Sequence, residues 1–460
     1  MIFNFTEKKK IIIVGLGVSG KSLANSLKKN KVTFFCWDDD KKIRVKATKD
    51  GMPVCEIRKI NFNKIDFLVL SPGISHIGKE QHFSVKLANK TKCKIISDIE
   101  FIYYLKNKIM LFGITGTNGK STTTRFLEHI LKRSGLNAHA CGNIGLPFTE
   151  IDIQKNSSLI LESSSYQLER ISKLKFNIAV LLNISEDHIE RHKSIKNYIS
   201  AKLNIFKNQC KNDTAILSID DIYCQKISLN FHKNYKSNLI KISTKVKIDD
   251  GIFISHSNGK TIIINNIEKN SVIIPKFYLK KFCGEHNLQN LLASYACCKV
   301  FGLSNKKFLF GLRDFRGLEH RLELFTKYKN INFFNDSKST NCDSAKTALN
   351  SMKNIYWIVG GRSKRSGLTG IENHLKSVEK AFTYGENSIE FFSFLKQFIA
   401  TERFDNLEEA YKKALFDAKK MNKKINILLS PASASFDQFE NFEKRGLFFK
   451  KIVKKSLNDI

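Results

Sequence analysis

Continuous apolar runs in this chain mark strands buried on both faces, and apolar residues three and four apart mark helices buried on one. Lys10-Ile11-Ile12-Ile13-Val14 is a run of the first kind; a G-x-G-x-x-G turn at Gly15, Gly17 and Gly20 follows it, then a helical stretch through Leu27. Val32 to Trp37 predicts a second strand ending in Asp38-Asp39-Asp40, and Phe67 to Leu70 a third ending in Ser71-Pro72-Gly73. Strand, helix, strand, with glycines and acids in the turns, predicts a Rossmann-like sheet whose ligand lies at the carboxyl ends of the strands.

Further along, Ser97-Asp98-Ile99-Glu100 fits a capping box, in which the Ser and Glu side chains satisfy each other's free amides, so a helix and a new domain are expected there. Strands are predicted at Ile109 to Phe112, Leu159 to Leu161 and Ile178 to Leu182. A third unit begins around Leu318, with strands at Ile331 to Phe334, Ile355 to Val359 and Ile425 to Leu429. No repeat or low-complexity linker interrupts the chain. The pattern, taken with a glycine-rich loop at Gly113 to Thr122, predicts an α/β protein of three domains: a Rossmann-like N-terminal domain over 1–97, a central P-loop ATPase-type domain over 98–317 and a Rossmann-like C-terminal domain over 318–460.

Composition adds little to that picture but excludes several classes. With 460 residues, each domain can bury a core of its own. The formal charge of +34 raises nucleic-acid binding, yet the cations are 64 Lys to 13 Arg, spread through every segment without any recognition motif, so no nucleic-acid partner is expected. Ten cysteines without a C-x-x-C pair signal neither a disulfide framework nor a zinc site. The longest early apolar run is too short to span a bilayer and lacks a cleavage pattern, which predicts a soluble cytoplasmic protein without membrane insertion.

The strongest chemical signal is Gly113-Ile114-Thr115-Gly116-Thr117-Asn118-Gly119-Lys120-Ser121-Thr122, a glycine-rich loop between a strand and a helix. Its glycines let backbone amides turn toward phosphate oxygens, Lys120 supplies a point charge and Ser121 a hydroxyl for a cation. Ile114 stands where a strict Walker A loop has Gly, so this is a variant form. The helix is supported by the apolar stripe Phe126, Leu127, Ile130 and Leu131, with Gly135 placed as its C-terminal cap. The first glycine turn is weaker: it suits NAD or another nucleotide, with Asp38 able to accept from a ribose or a base N–H.

Together with blocks downstream, the loop resembles that of the Mur ligases and folylpolyglutamate synthases. Those blocks are Gly142-Asn143-Ile144-Gly145, Glu162-Ser163-Ser164-Ser165-Tyr166-Gln167-Leu168-Glu169, Asn183-Ile184-Ser185-Glu186-Asp187-His188, Ala201-Lys202, Gly284-Glu285-His286-Asn287, His320-Arg321 and Asn335-Asp336-Ser337-Lys338-Ser339-Thr340-Asn341. The short first domain with Ser71-Pro72-Gly73-Ile74, and Leu429 to Phe439 with Phe442 and Arg445-Gly446, narrow it to a Mur ligase.

The resemblance implies an ATP-dependent amino-acid ligase of peptidoglycan precursor synthesis working through an acyl phosphate, with another Mur-type or folylpolyglutamate-type ligase as the alternative. Its implied substrates are UDP-N-acetylmuramoyl-L-alanine and D-glutamate, and its implied state a monomer. It assigns Lys120 to the β- and γ-phosphates, Ser121 and Glu162 to a first Mg²⁺, and His188 with a carbamylated Lys202 to a second. Asn287, Asn290, Arg321 and Asp336 become nucleotide contacts. Val18, Ser19, Asp38 and Asp39 match the uridine side, Ser71 and Gly73 the diphosphate, and Asn143, Ser164 and Gln167 the muramoyl-alanine. Lys364, Thr340, Ser435, Phe436, Phe442 and Lys338 match the D-glutamate pocket. The chain departs from the family at Asp40, where an Arg often follows the uracil-side acid, and at Arg362, where an acid is often found.

Overall fold

The structure, a computed structural model, describes residues 3–5, 9–78, 81–279, 285–313, 315, 317–362 and 367–458. The chain divides into two compact units, Met1–Phe315 and Arg316–Ile460.

Two sheets build the first unit. In one, strands β1 (Lys10–Val14), β2 (Thr33–Trp37), β3 (Phe67–Leu70) and β4 (Lys94–Ile96) run parallel in the order β2-β1-β3-β4. The chain leaves β1 toward β2 on one side and later returns as β3 on the other, so Gly15 to Gly20 lies at the topological switch point.

The other sheet holds β5 (Met110–Thr115), β6 (Ala138–Gly142), β7 (Ser158–Glu162), β8 (Ile178–Leu181), β9 (Thr214–Ser218), β10 (Asn238–Ser243), β11 (Gly251–Ser257), β12 (Lys260–Asn265) and β13 (Asn270–Ile274). Its order is β13-β12-β11-β10-β9-β8-β5-β7-β6, parallel except for the antiparallel β11-β12-β13 edge. Successive residues go to opposite cores. Leu159, Leu161, Ala179 and Leu181 pack on one side, and Ile160, Ile178 and Val180 on the other. Burial on both faces is why these strands read as unbroken apolar runs.

The second unit carries β14 (Glu323–Tyr328), β15 (Ile331–Asn335), β16 (Ile355–Gly360), β17 (Val378–Tyr384), β18 (Thr401–Arg403) and β19 (Ile425–Leu429), ordered β14-β15-β19-β16-β17-β18, with β14 alone antiparallel. Among the described residues no helix is long and apolar enough to cross a membrane.

One local expectation is overturned. Ser97 and Glu100 do not form a capping box; the segment Asp98–Tyr104 is a 3-10 helix without a side-chain cap. Glu100 instead accepts from the backbone N–H groups of Ser172, Lys173 and Leu174, at 2.9, 2.7 and 3.3 Å. Three amide donors outcompete the single amide a capping box offers. A reciprocal box does occur at Ser164 and Gln167, starting the helix Ser165–Leu168.

Candidate active site

The loop after β5 follows from its glycines. Gly116 has φ +156° and Gly119, the N-cap of the helix Lys120–Arg133, has φ +84° in the left-handed region. A Cβ at Gly119 would stand 2.3 Å from Asn290 Oδ1, so no larger residue fits without displacing that side chain. The loop is tied from several directions. Thr115 Oγ1 donates to Ser163 O at 2.8 Å, Asn118 N–H donates to Asn183 Oδ1 at 2.8 Å, and Ser185 N–H donates to Thr117 Oγ1 at 3.0 Å. Asn290 Oδ1 accepts from Thr123 Oγ1 at 3.0 Å, and Asn290 Nδ2 donates to Asn287 Oδ1 at 3.3 Å. Gly113 is glycine for packing: a Cβ there would meet the Phe176 ring at 2.5 Å.

Lys120 folds over the loop, its Nζ donating to Gly116 O at 2.8 Å and Thr117 O at 2.7 Å. Ser121 and Thr122 are buried at the start of the helix. Glu162 ends β7 directly beside Ile114 of β5 and is 1% exposed. Its Oε1 accepts from Asn143 Nδ2 at 3.0 Å, while Oε2 is buried with no hydrogen-bond partner among the described residues. A buried carboxylate oxygen without a donor is costly. It suits a cation or one of a cation's waters.

Lys202, at 1% exposure, donates to the same Gly116 O at 2.8 Å and lies 4.6 Å from the Tyr198 ring centre. Burial, with the nearby Lys120 charge adding to it, pushes its ammonium well below the ordinary lysine range. His188 has φ +55°, held by its N–H to Asp187 Oδ1 at 2.9 Å, and its ring lies 5.1 Å from Tyr166. Among the described residues no three His, Cys, Asp or Glu side chains converge as a metal cluster.

On the first sheet, Asp38 is engaged by backbone: Oδ2 accepts from Leu16 N–H at 2.7 Å and Oδ1 from Asp40 N–H at 3.0 Å. Asp39 pairs with His82 Nε2 at 3.2 Å. Val18 is exposed and Ser19 half-buried on the helix Val18–Lys29. Ser71 Oγ donates to Gly15 O at 2.8 Å, and Gly73 is exposed two residues on. Asp40 caps the helix Lys41–Lys49, accepting from Lys42 N–H at 2.7 Å. One turn later Arg44, absent from the sequence reading, donates to Asp38 O at 2.6 Å and Asp39 O at 2.9 Å and covers the Trp37 ring at 4.2 Å. Ser164 and Gln167 serve each other as a cap, and Gln167 reaches Asp98 Oδ1 at 3.5 Å.

Within the second unit, Asp336 follows β15 and is fully enclosed, accepting from Leu322 N–H at 3.0 Å and Ser430 Oγ at 2.8 Å; burial pushes its carboxyl up to about 7. Arg321 precedes β14 and is half-buried. Lys338 Nζ lies 5.5 Å from the Phe442 ring, Thr340 N–H donates to Lys338 O, Ser435 is buried and Phe436 exposed. Lys364 lies outside the described residues. Sequence reading missed the side-chain part of Arg445, which is fully buried and donates to Ser337 Oγ, Ser337 O and Ala434 O at 2.9, 2.8 and 3.3 Å. Arg362 pairs with Glu386 at 2.8 Å.

A phosphate-type loop at the carboxyl edge of a parallel sheet, with an under-satisfied acid on the neighbouring strand, defines a nucleotide-using α/β protein fitted to charge neutralisation. Residues 114–298 match the Mur ligase middle domain family. The chain is 36% identical to the UDP-N-acetylmuramoylalanine--D-glutamate ligase of Rickettsia prowazekii, over 98% of this chain and 99% of that protein. It is 33% identical to the ligase of the same name from Caulobacter vibrioides, over 97% and 96%. Among solved structures its fold is similar to UDP-N-acetylmuramate-alanine ligase of Thermotoga maritima, with a TM-score of 0.58 at 17% identity over 97% of this chain and 99% of that one. The MurF ligase of the same organism, solved in complex with ADP, gives a TM-score of 0.56 at 16% identity over 87% and 97%. The chain belongs to the Mur ligase family of ATP-dependent ligases, among the UDP-N-acetylmuramoylalanine--D-glutamate ligases.

Proposed function

We propose that this protein uses ATP to join D-glutamate to the alanyl carboxylate of UDP-N-acetylmuramoyl-L-alanine, a step in making peptidoglycan precursors. The observation that carries the reading is the pairing of the Gly116 to Ser121 loop with Glu162, which stands on the adjacent strand end with one buried oxygen that has no donor among the described residues. The substrate carboxylate attacks the γ-phosphorus, ADP departs, and an acyl phosphate forms. The D-glutamate amine then attacks the acyl carbon, phosphate leaves, and the nitrogen gives up a proton. Neither half demands covalent catalysis by the protein; both demand positioning and charge neutralisation.

In this reading Lys120 and the loop amides from Gly113 to Thr122 hold the phosphates, with Asn287, Asn290, Arg321 and Asp336 as further nucleotide contacts. Ser121 and Glu162 hold one Mg²⁺, and His188 with Lys202 a second. Bound there, the two ions offset the charge that builds on the triphosphate. An ammonium cannot ligate a cation, so Lys202 first has to become anionic. Burial, which favours the neutral amine over the ammonium, supports carbamate formation: the neutral nitrogen bonds to the carbon of CO₂, one proton leaves, and two oxygens become available.

Val18, Ser19, Asp38 and Asp39 take the uridine, Ser71 and Gly73 the diphosphate, and Asn143, Ser164 and Gln167 the muramoyl-alanine. Lys338, Thr340, Lys364, Ser435, Phe436 and Phe442 take D-glutamate. Residues 1–97, 98–317 and 318–460 act as sugar-nucleotide, ATP and amino-acid domains of a monomer working in the cytoplasm. The test is ADP release with each substrate omitted in turn. Turnover should require both partners, and release with L-lysine, meso-diaminopimelate or L-glutamate in place of D-glutamate would overturn the assignment.

A further inference from the structure

Between the two sheets of the first unit lies a group of charged side chains that the proposed chemistry does not use. Arg170 is its centre and is 3% exposed. Its Nε donates to Tyr166 O at 3.0 Å, while Nη1 donates to Leu70 O at 3.1 Å and approaches Ser71 O at 3.5 Å. Its own carbonyl accepts from Ser97 N–H at 3.0 Å. One residue thereby ties the end of β3, the backbone at Ser97 just after β4 and the helix that follows Glu162. Among the described residues no carboxylate pairs with it directly; the Asp98 and Glu169 charges act on it from nearby, and burial lowers it only to about 10, so it stays cationic at neutral pH.

The neighbours reinforce the same junction. Glu169 Oε1 holds His192 Nδ1 at 2.8 Å, and its Oε2 lies 3.6 Å from His76 Nε2. Arg191 Nη2 meets His76 Nδ1 at 3.2 Å. His76 belongs to the segment that follows Ser71 and Gly73, whereas Glu169, Arg191 and His192 belong to the segments carrying Glu162 and His188. Ser71 is fixed from its other side by Gly15, whose φ of +91° and close approach admit no side chain: a Cβ there would stand 2.7 Å from Ser71 Cβ.

We propose that Arg170 is a positioning residue for the sugar-nucleotide substrate: it clamps the Leu70-Ser71 carbonyls to the helix after Glu162, setting the diphosphate-binding turn in register with the acyl-activating end of the central sheet. This rests on the assignment of Ser71 and Gly73 to the diphosphate made above. A planar guanidinium suits the task because donors on separate nitrogens of its rigid fork reach carbonyls on two separate segments at once, while all the donors of a lysine radiate from a single nitrogen at the end of a flexible stem. Among 64 lysines and 13 arginines, the choice of Arg at this position is itself consistent with a need for the fork.

The test uses the full chain with Arg170→Lys and Arg170→Ala. Binding of UDP-N-acetylmuramoyl-L-alanine is measured by calorimetry without ATP, and KM is measured separately for all three substrates. Arg170→Ala should weaken sugar-nucleotide binding about tenfold or more, the order lost with a charge-assisted hydrogen bond. KM for ATP and for D-glutamate should stay within about twofold of wild type, and Arg170→Lys should recover part of the loss, as a single retained contact predicts. Equal binding by wild type and both variants would overturn the clamp while leaving the ligase reading intact. A parallel rise of all three KM values with Arg170→Lys would overturn it too, as the mark of a merely structural residue. A wild-type chain that binds no sugar nucleotide would remove the ligase reading and the clamp together.

Discussion

The two ends of the helix Lys120–Arg133 offer a comparison of glycines that separates backbone strain from site geometry. Gly119 before it and Gly135 after it have nearly equal φ values, +84° and +83°. At Gly135 an added Cβ meets nothing within 4 Å, so Gly135→Ala should lose only the left-handed backbone term of about 1–2 kcal/mol. At Gly119 the same Cβ would stand 2.3 Å from Asn290 Oδ1 and 3.2 Å from Leu182 Cδ1. Asn290 has to turn away, which breaks its bond from the buried Thr123 hydroxyl. An orphaned buried pair of that kind costs about 1–3 kcal/mol. Gly119→Ala should therefore lose about 2–5 kcal/mol in all, and it should also spoil the amide that opens the loop, raising KM for ATP at least tenfold. Urea denaturation gives the two stability losses and ADP-release kinetics the KM values, with Gly135→Ala expected to keep wild-type ATP kinetics. Equal losses at the two positions, or an unchanged KM for ATP in Gly119→Ala, would show that the Asn290 contact and the cradle do not matter as argued.

Lys202→Ala should abolish turnover, and short carboxylates such as acetate should restore part of it; full activity without rescue in an ADP-release assay would refute the carbamate. For Asp336 the folded pKa of about 7 lies above the unfolded value of about 3.9, so the native chain holds the extra proton in that window. The stability contribution is present below about pH 4 and lost as pH rises through about 7, up to about 4 kcal/mol at 1.36 kcal/mol per pH unit. Asp336→Asn should flatten that slope in urea unfolding at pH 5 and pH 8, and an unaltered slope would contradict the burial argument. Phe176, fully buried against Gly113, should cost about 3–5 kcal/mol when replaced by Ala, read from the same denaturation; a loss below 1 kcal/mol would mean the site collapses freely.

Some elements could be read from local pattern because their burial is two-sided. The runs at Lys10 to Val14, Phe67 to Leu70 and Ile425 to Leu429 coincide with the observed strands. The antiparallel strand β12, the edge strand β13 and the short strand Thr401–Arg403 went unread because one-sided or minor burial leaves polar residues inside them. The box predicted at Ser97 failed because Glu100 found three amides some 72 to 74 residues away, a partner set no local motif contains.

The glycine turn after β5 and the helix with its apolar stripe behind it were legible in the sequence alone, since such a turn depends on backbone freedom over ten residues and a helix on spacing within two turns. Tertiary structure decided what those residues face. It left one Glu162 oxygen without a donor among the described residues, buried the Lys202 side-chain nitrogen against Gly116 O, and brought Arg170 onto carbonyls 99 and 100 residues earlier in the chain. Desolvation and long-range hydrogen bonding arise only when distant segments pack, and so they are properties of the folded chain.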